Sequence, residues 1–168
     1  MKSLWKFIDT AYAWFLRVAN LGQHLFLLAV RFYFGWQFYE TGRGKLADIQ
    51  KVVDNFVGWN VSAPVFNAHF ISWLETISGI LLMLGLASRL VAIPLTIDMI
   101  VAYVVADTDA LHSFFSDPDK FTGAAPFNYL FVFLLILFFG PGFLSLDTLI
   151  RWLRKKSLPA PVPASGTS

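Results

Sequence analysis

The sequence predicts an all-α integral membrane protein, a bundle of four transmembrane helices preceded by an N-terminal interfacial amphipathic helix. Three observations predict this class. The 168 residues are 57% hydrophobic and 14% charged, with a mean hydropathy of +0.61, which is too much apolar surface for a water-soluble monomer to bury. Four apolar stretches each approach the ~20 residues that a helix needs to cross the hydrocarbon. Ionisable residues occur inside these stretches, where they need partners away from lipid.

Residues 1–20 predict the amphipathic helix, which would lie along the membrane surface. Five residues form its apolar face: Leu4, Ile8, Ala11, Phe15 and Val18. Lys6, Asp9 and Arg17 lie mostly on the opposite face and interrupt any long apolar core. Because no small-residue cleavage site follows, a removable signal peptide is the weaker interpretation, and we expect the segment to stay on the protein.

A transmembrane domain is predicted over residues 21–156. Its four spans are residues 23–42, 67–87, 90–106 and 126–144. The second and third spans are joined so tightly that they must be antiparallel neighbours. The connection 43–66 is predicted to lie along the membrane surface, and the acidic connection 107–125 is predicted to be an exposed loop. The Pro-rich residues 157–168 predict a disordered tail.

Basic residues near the span ends predict the orientation of the bundle. One side of the membrane would hold most of them: Lys2, Lys6, Arg17, Arg89, Arg151, Arg154, Lys155 and Lys156. The other side would hold fewer: Arg43, Lys45, Lys51 and Lys120. The positive-inside rule therefore places both termini in the cytoplasm and the acidic loop on the outer side.

Composition also excludes several classes of function. The net charge is only +2 and no basic face is formed, so a nucleic-acid partner is not expected. The chain has no cysteine, which excludes disulfides and thiolate metal sites. Motifs for phosphate binding, for a nucleophile elbow and for a zinc-protease helix do not occur, so covalent catalysis is unsupported.

The first span has the most informative pattern in the chain. Residues at spacings of three and four share one of its faces: Arg31, Gly35, Phe38, Gly42 and Lys45. The second span repeats this mixture of charge and small residues, with Glu75 and Gly79 on one stripe. We predict that Gly35, Gly42 and Gly79 permit close helix packing, whereas the charges need partners inside the bundle.

The rise of a helix, about 1.5 Å per residue, predicts which charges lie at the same depth. Arg31 and Asp98 both fall roughly 12 Å from the cytoplasmic side, so Arg31 is predicted to pair with Asp98. Glu75 falls further out, near Glu40 and Lys45, where two carboxylates and one ammonium could share a proton or hold a cation. A purely structural interpretation stays open, because buried charges also persist when their pairing only fixes the packing.

The chain has three histidines, and imidazoles on neighbouring helices can bind a haem or another metal. His24 and His69 are predicted at opposite ends of the bundle, so they cannot meet. His69 and His112 share the outer end, where hydrogen bonding in loops is the favoured interpretation. We therefore predict no metal site.

Four ordered segments resemble the DoxX family of small four-helix bacterial membrane proteins. They are RFYFGWQFYETGRGKL at 31–46, ETISGILLMLGLASRL at 75–90, residues 92–106, and GPGFLSLD at 140–147. The first is similar to the family's Arg, Gly, Phe, Gly and Lys-Leu helix, and the last to its Gly-x-Gly, Ser-Leu-Asp ending. The family includes DoxD-like subunits of thiosulfate:quinone oxidoreductase, so the resemblance implies a multi-pass protein of the bacterial cytoplasmic membrane.

The resemblance further implies a membrane subunit of a quinone-linked oxidoreductase, whose polar interior binds a quinone headgroup or a small anion. Quinone is the only cofactor suggested, and electrons would have to come from quinone itself or from a partner subunit. Two alternatives stay open: a non-catalytic accessory or assembly subunit of a larger membrane complex, and a small-solute or proton pathway. The expected partners are the lipid bilayer and either other subunits or further copies of the chain.

In the quinone hypothesis, six ionisable residues are assigned roles. The catalytic positions are Glu75 as a proton acceptor, with Arg31 and Lys45 supplying positive charge. The positions for binding substrate or quinone are Glu40, Asp98 and His112. Fold and function do not transfer equally well within a family, so these roles are hypotheses about the site.

Overall fold

The computed structural model describes residues 2–157, and in that range every regular element is a helix. The helices are α1 Lys2–Ala47, α2 Ile49–Gly58, α3 Pro64–Leu84, α4 Ser88–Val105, α5 Thr108–His112, α6 Pro118–Gly123, α7 Ala125–Phe139 and α8 Leu146–Ser157. The predicted all-α class is therefore confirmed for this range. The predicted disordered tail covers residues 157–168, and all of it after Ser157 lies outside the described residues.

Three helices, α1, α3 and α4, are long and apolar enough to span a membrane. Their outward faces carry large apolar side chains, as on α3, where an exposed stripe follows helical spacing: Phe66, Phe70, Trp73 and Ile77. Such a continuous apolar surface needs lipid rather than water around it, so the chain is a membrane protein. α7 is also apolar, but its 15 residues extend over only about 22 Å.

α1 is one uninterrupted helix of 46 residues. The predicted boundary between a separate amphipathic helix ending at residue 20 and a span starting at residue 23 is therefore wrong. Gly22 is the strongest helix breaker at this point, and one glycine costs only about 1 kcal/mol in a helix. The described side chains from Trp5 to Gln23 are exposed, so this part of α1 does not pack on the bundle.

Glycines bring α1 and α3 into close contact. A Cβ added to Gly79 would lie 2.6 Å from the carbonyl oxygen of Gly35 and 2.6 Å from the amide nitrogen of Tyr39. A Cβ added to Gly42 would lie 2.5 Å from the amide nitrogen of Thr76. Since real Cβ atoms do not approach other atoms so closely, only glycine allows this spacing of the two backbones.

The apolar core lies among α1, α3, α4 and α7. Its largest fully buried side chains are Phe38, Leu82, Leu95, Phe133 and Ile136. Phe38 and Phe133 meet edge to face, with ring centroids 4.9 Å apart. A smaller cluster of Val52, Val53 and Ala68 holds α2 against the start of α3.

The bundle has two ends, which take their names from charged residues of α1. The Arg31 end contains the turn between α3 and α4, the segment after α7, and α8. The Lys45 end contains α2, α5 and α6. Arg31 and Lys45 are fourteen residues apart on α1, a separation of about 21 Å along the helix axis.

α8, at the Arg31 end, was not predicted as a helix. Its apolar residues recur at the spacing of an amphipathic helix: Leu146, Leu149, Ile150 and Leu153. Its second half also carries four basic residues: Arg151, Arg154, Lys155 and Lys156. The signal was present in the sequence, in the helical spacing of these four apolar residues after the fourth predicted span.

Candidate functional site

Three charged side chains line one cavity at the Lys45 end. They are Lys45 from the last turn of α1, Glu75 from α3 and Asp98 from α4. Glu75 lies nine residues before Leu84 and Asp98 lies ten residues after Ser88, the two helix ends that flank the tight turn. The two carboxylates therefore lie at nearly the same height, about 14 and 15 Å from that turn.

Lys45 and Glu75 form an ion pair inside the bundle. The Nζ atom of Lys45 donates a hydrogen bond to Oε1 of Glu75 over 2.6 Å. The Glu75 side chain is 3% exposed, whereas the Lys45 side chain is 32% exposed. The ammonium can therefore exchange this contact for water, but the carboxylate is held in the apolar interior.

Each carboxylate of the cavity has a buried oxygen that accepts no hydrogen bond from the described residues. Among residues 2–157, no donor contacts Oε2 of Glu75 or Oδ2 of Asp98, although both atoms are buried. An unpaired buried polar atom costs about 1–3 kcal/mol, so a proton or a ligand that donates to these oxygens would stabilise the site. With one ammonium and two carboxylates, the lining has a formal charge of −1 and favours a neutral or cationic ligand.

Apart from Asn67, the rest of the lining is apolar. The cavity has a volume of about 270 Å³ and is bounded by residues such as Phe56, Ile71 and Met99. Trp59 and Val101 in its lining are exposed, so the cavity reaches the surface of the bundle. The volume is slightly below the range for drug-sized ligands, about 300–1,000 Å³, and suits a single small ring.

The predicted pairing of Arg31 with Asp98 is wrong. Arg31 lies at the other end of the bundle, where its Nη2 donates a hydrogen bond to the carbonyl oxygen of Leu144. Its guanidinium lies against Gly85 and is attracted by the carboxylate of Asp147. The depth count failed because α1 begins long before the bundle does, so residue 23 does not mark its edge. The prediction also ended the second span at residue 87, whereas α3 ends three residues earlier, at Leu84.

Two further predicted ligands lie outside the cavity. Glu40 is 42% exposed and pairs with Arg43 on the same helix, with 3.5 Å between the charged atoms. His112 ends α5, is exposed, and is not among the residues that line the cavity. The predicted grouping of Glu40 with Glu75 is therefore wrong, and Asp98 occupies that place. In the part of the chain described, no three His, Asp or Glu side chains are arranged to hold a metal ion.

At the Arg31 end, Asp147 has a role that the sequence did not reveal. Its carboxylate accepts hydrogen bonds from the backbone N–H of Ala87 at 2.7 Å and of Ser88 at 3.0 Å, and so caps α4. Its own N–H donates to the carbonyl oxygen of Gly85 at 3.0 Å. Arg31 is 1% exposed, and within the described residues its Nε and Nη1 have no hydrogen-bond partner, so the attraction of the Asp147 carboxylate contributes to holding this buried charge.

These contacts explain the GPGFLSLD motif, since Asp147 joins the segment after α7 to the turn between α3 and α4. The motif itself gave no sign of this partner, because the amides that Asp147 caps are about sixty residues away in sequence. The network fixes the fold of the Arg31 end, and it does not contribute to the cavity at the Lys45 end.

Comparisons with known proteins agree with this arrangement. The DoxX family model matches residues 26–108, which include all three charged residues of the cavity. A relative from Haemophilus influenzae, described as an uncharacterized protein, is 31% identical over 142 residues, covering 80% of this chain and 89% of the relative. No solved structure matches the chain. The resemblance inferred from the sequence is thus confirmed, and the chain belongs to the DoxX family.

Proposed function

We propose that the chain is the membrane subunit of a quinone-linked oxidoreductase and that its cavity at the Lys45 end binds a quinone headgroup. The observation that carries this proposal is the cavity itself, a small apolar space with one ammonium and two buried carboxylates in its wall. A quinone ring is flat, neutral and largely apolar, and its two carbonyl oxygens need hydrogen-bond donors. The lining supplies both kinds of contact.

Each charged residue has a chemical role in this proposal. Lys45 donates a hydrogen bond to one quinone carbonyl oxygen, while Glu75 and Asp98 hold and transfer protons. Reduction of a quinone to a quinol consumes electrons and protons in equal number. Each carboxylate takes up a proton from water and passes it to a carbonyl oxygen, returning to its ionised form, and the electrons come from a partner subunit. Arg31 has no part in this step, because it lies about 21 Å away along α1.

The charge of the cavity favours a quinone over the small anion that the sequence also suggested. That alternative depended on positive charge from both Lys45 and Arg31. With Arg31 at the other end, one ammonium faces two carboxylates, and an anion would be repelled in a medium of low dielectric constant.

We also propose that α7 is a fourth membrane crossing and that the Arg31 end faces the cytoplasm of a bacterial inner membrane. The basic residues of α8 support this orientation through the positive-inside rule. The absence of cysteine from the sequence allows a direct test with Lys156→Cys and Ser116→Cys, at opposite ends. A membrane-impermeant maleimide should label Ser116→Cys in intact cells and Lys156→Cys only after permeabilisation; the reverse pattern would contradict the orientation.

Trp59 offers a direct test of quinone binding, because it lines the cavity. Decylubiquinone should quench the tryptophan emission of the purified full chain saturably, and Trp59→Phe should remove the saturable part. Asp98→Asn and Glu75→Gln should each weaken binding by about tenfold, since each removes a charged hydrogen-bonding group from the site.

The matched control is Glu40→Gln, which neutralises an exposed carboxylate outside the cavity. Its quenching curve should coincide with that of the unmodified chain. The proposal fails if quenching of the unmodified chain does not saturate, or if Asp98→Asn and Glu75→Gln bind the quinone as tightly as Glu40→Gln does.

A non-catalytic accessory subunit is the second candidate, and the exposed part of α1 favours it. Four large aromatic side chains are exposed along this part: Trp5, Tyr12, Trp14 and Phe15. Under this alternative, partner subunits copurify with the chain in mild detergent and are lost when these four residues become alanine. Glu75→Gln would then leave both the complex and its activity unchanged, in contrast to the quinone proposal.

A further inference from the structure

A second cavity lies at the Arg31 end, where α4, the segment after α7 and α8 meet. Its volume is about 730 Å³, and three arginines line it: Arg89, Arg151 and Arg154. Asp147 is the carboxylate in the same lining, and both of its oxygens accept hydrogen bonds from backbone N–H groups at the start of α4. Three guanidiniums and one carboxylate give the lining a formal charge of +2, so it attracts an anion.

Neutral acceptors hold two of these arginines in place. Arg89 donates through Nη2 to the carbonyl oxygen of Phe138 at 3.1 Å. Arg151 donates through Nε to the carbonyl oxygen of Asp147 at 3.2 Å and through Nη2 to Oγ1 of Thr148 at 3.1 Å. These neutral acceptors leave the charges of Arg89 and Arg151 in place, and both of these guanidiniums have further N–H groups for an anionic ligand.

Apolar surface adjoins the arginines. Leu90, Phe139, Phe143 and Ile150 belong to the same lining, and all four are exposed. Leu90 also lines a groove of about 650 Å³ between α3 and α4, whose other lining residues are mostly apolar. The charged cavity therefore continues, through Leu90, into an apolar groove that follows the membrane-spanning helices.

α8 places this cavity at the surface of the bilayer. The helix starts soon after α7 ends, and its apolar residues Leu149, Ile150 and Leu153 are exposed on one face. Basic residues lie beside them, as in helices whose apolar face enters the boundary between headgroups and acyl chains. At that depth, the arginines lie level with lipid phosphates and the groove lies level with the acyl chains.

We propose that this cavity binds an anionic phospholipid. Arg89, Arg151 and Arg154 contact the headgroup phosphate, and one acyl chain lies in the groove between α3 and α4 that begins at Leu90. Guanidinium groups suit this role because they donate paired hydrogen bonds to phosphate oxygens. A free phosphate ion would use the arginines but leave the groove unused. This site is independent of the quinone cavity, which lies at the other end of the bundle.

Lipid retention measured by native mass spectrometry tests the proposal. The delipidated full chain is titrated separately with phosphatidylglycerol, phosphatidylcholine and inorganic phosphate, and its melting temperature is recorded alongside. Phosphatidylglycerol should be retained selectively and should raise the melting temperature, whereas the other two should not. Arg89→Gln combined with Arg151→Gln should weaken retention by about fivefold for each arginine removed. Arg43→Gln, an exposed arginine at the Lys45 end, is the matched control and should bind like the unmodified chain.

Three results would overturn the proposal. The first is equal retention of phosphatidylglycerol and phosphatidylcholine, and the second is equal loss of retention in the Arg43→Gln control. The third is an inorganic phosphate effect as large as that of the lipid, which would indicate an ion site. If Arg89→Gln prevents folding through its contact with Phe138, the pair Arg151→Gln and Arg154→Gln, on exposed α8, provides the same comparison.

Discussion

The Arg31 end and the Lys45 end both bury charge, but with different partners. At the Arg31 end, Asp147 binds backbone N–H groups and Arg31 binds a backbone carbonyl oxygen, so their contacts connect α1, the turn after α3 and the segment after α7. At the Lys45 end, Glu75 has a single side-chain partner, Lys45. Glu75 and Asp98 both line a cavity, and each has a buried oxygen that accepts no hydrogen bond from the described residues.

Both ends bury charged side chains, so burial alone does not distinguish a functional charge from a structural one. Charges that bind the backbone of distant segments fix the fold, because removing them releases those segments. Charges that share a cavity and leave hydrogen-bonding capacity unused are available to a ligand or a proton. Substitutions at the two ends should therefore separate loss of stability from loss of binding.

Arg31→Met should have the largest effect on stability. It removes the charged hydrogen bond that joins α1 to the carbonyl oxygen of Leu144 after α7, so we expect a loss of about 3 kcal/mol in the free energy of unfolding. Unfolding in detergent mixed with increasing sodium dodecyl sulfate measures this value. Arg43→Gln, at an exposed arginine, should stay within about 0.5 kcal/mol. A loss at Arg31 no larger than this control would contradict a structural role for the Arg31 end.

Gly42→Ala should be the next most destabilising, because the new methyl group would lie 2.5 Å from the backbone of Thr76. Overpacking of this kind costs about 2 kcal/mol. Gly44→Ala, two residues further on the same helix, meets nothing within 4 Å and should be neutral or stabilising by up to about 1 kcal/mol. The same unfolding measurement compares the two, and equal effects would show that α1 and α3 are not in close contact at Gly42.

Asp147→Ala should cost about 1–2 kcal/mol, the usual effect of removing a helix cap. The loss should be local, since the carboxylate binds the amides of Ala87 and Ser88. Hydrogen exchange followed by mass spectrometry should show faster exchange at the start of α4, with little change in α2. Unchanged exchange at the start of α4 would rule out the cap.

Asp98→Asn should have the smallest effect on stability, below about 1 kcal/mol, because it removes a buried charge and leaves the Lys45–Glu75 pair intact. Its effect on quinone binding should nevertheless be large. A melting curve and a quinone titration on the same sample test this separation. A large loss of stability together with unchanged binding would place Asp98 with the structural charges.

Much of the bundle could be predicted from the sequence. Three spans were predicted at 67–87, 90–106 and 126–144, and the structure has helices at Pro64–Leu84, Ser88–Val105 and Ala125–Phe139. Apolar length and a tight connection determine these elements, and both are local properties of the chain.

The candidate site could be predicted only in part. Lys45 and Glu75 were expected at one level, and the structure pairs them. Asp98 was assigned to the wrong partner because the depth of Arg31 was counted from residue 23, which does not mark the edge of the bundle on the long helix α1. The contacts of Asp147 depend on the packing of distant segments, which periodicity within one helix does not report.

α1 carries Arg31 and Lys45 on one uninterrupted helix, so the distance and the angle between these two residues are fixed. The helix acts as a spacer of fixed length, so the network that holds Arg31 also sets the height and the direction of the Lys45 side chain. An inserted or deleted residue between them would turn Lys45 by about 100° around the helix axis, away from Glu75. The number of residues in this segment is therefore as much a part of the site as the side chains that line it.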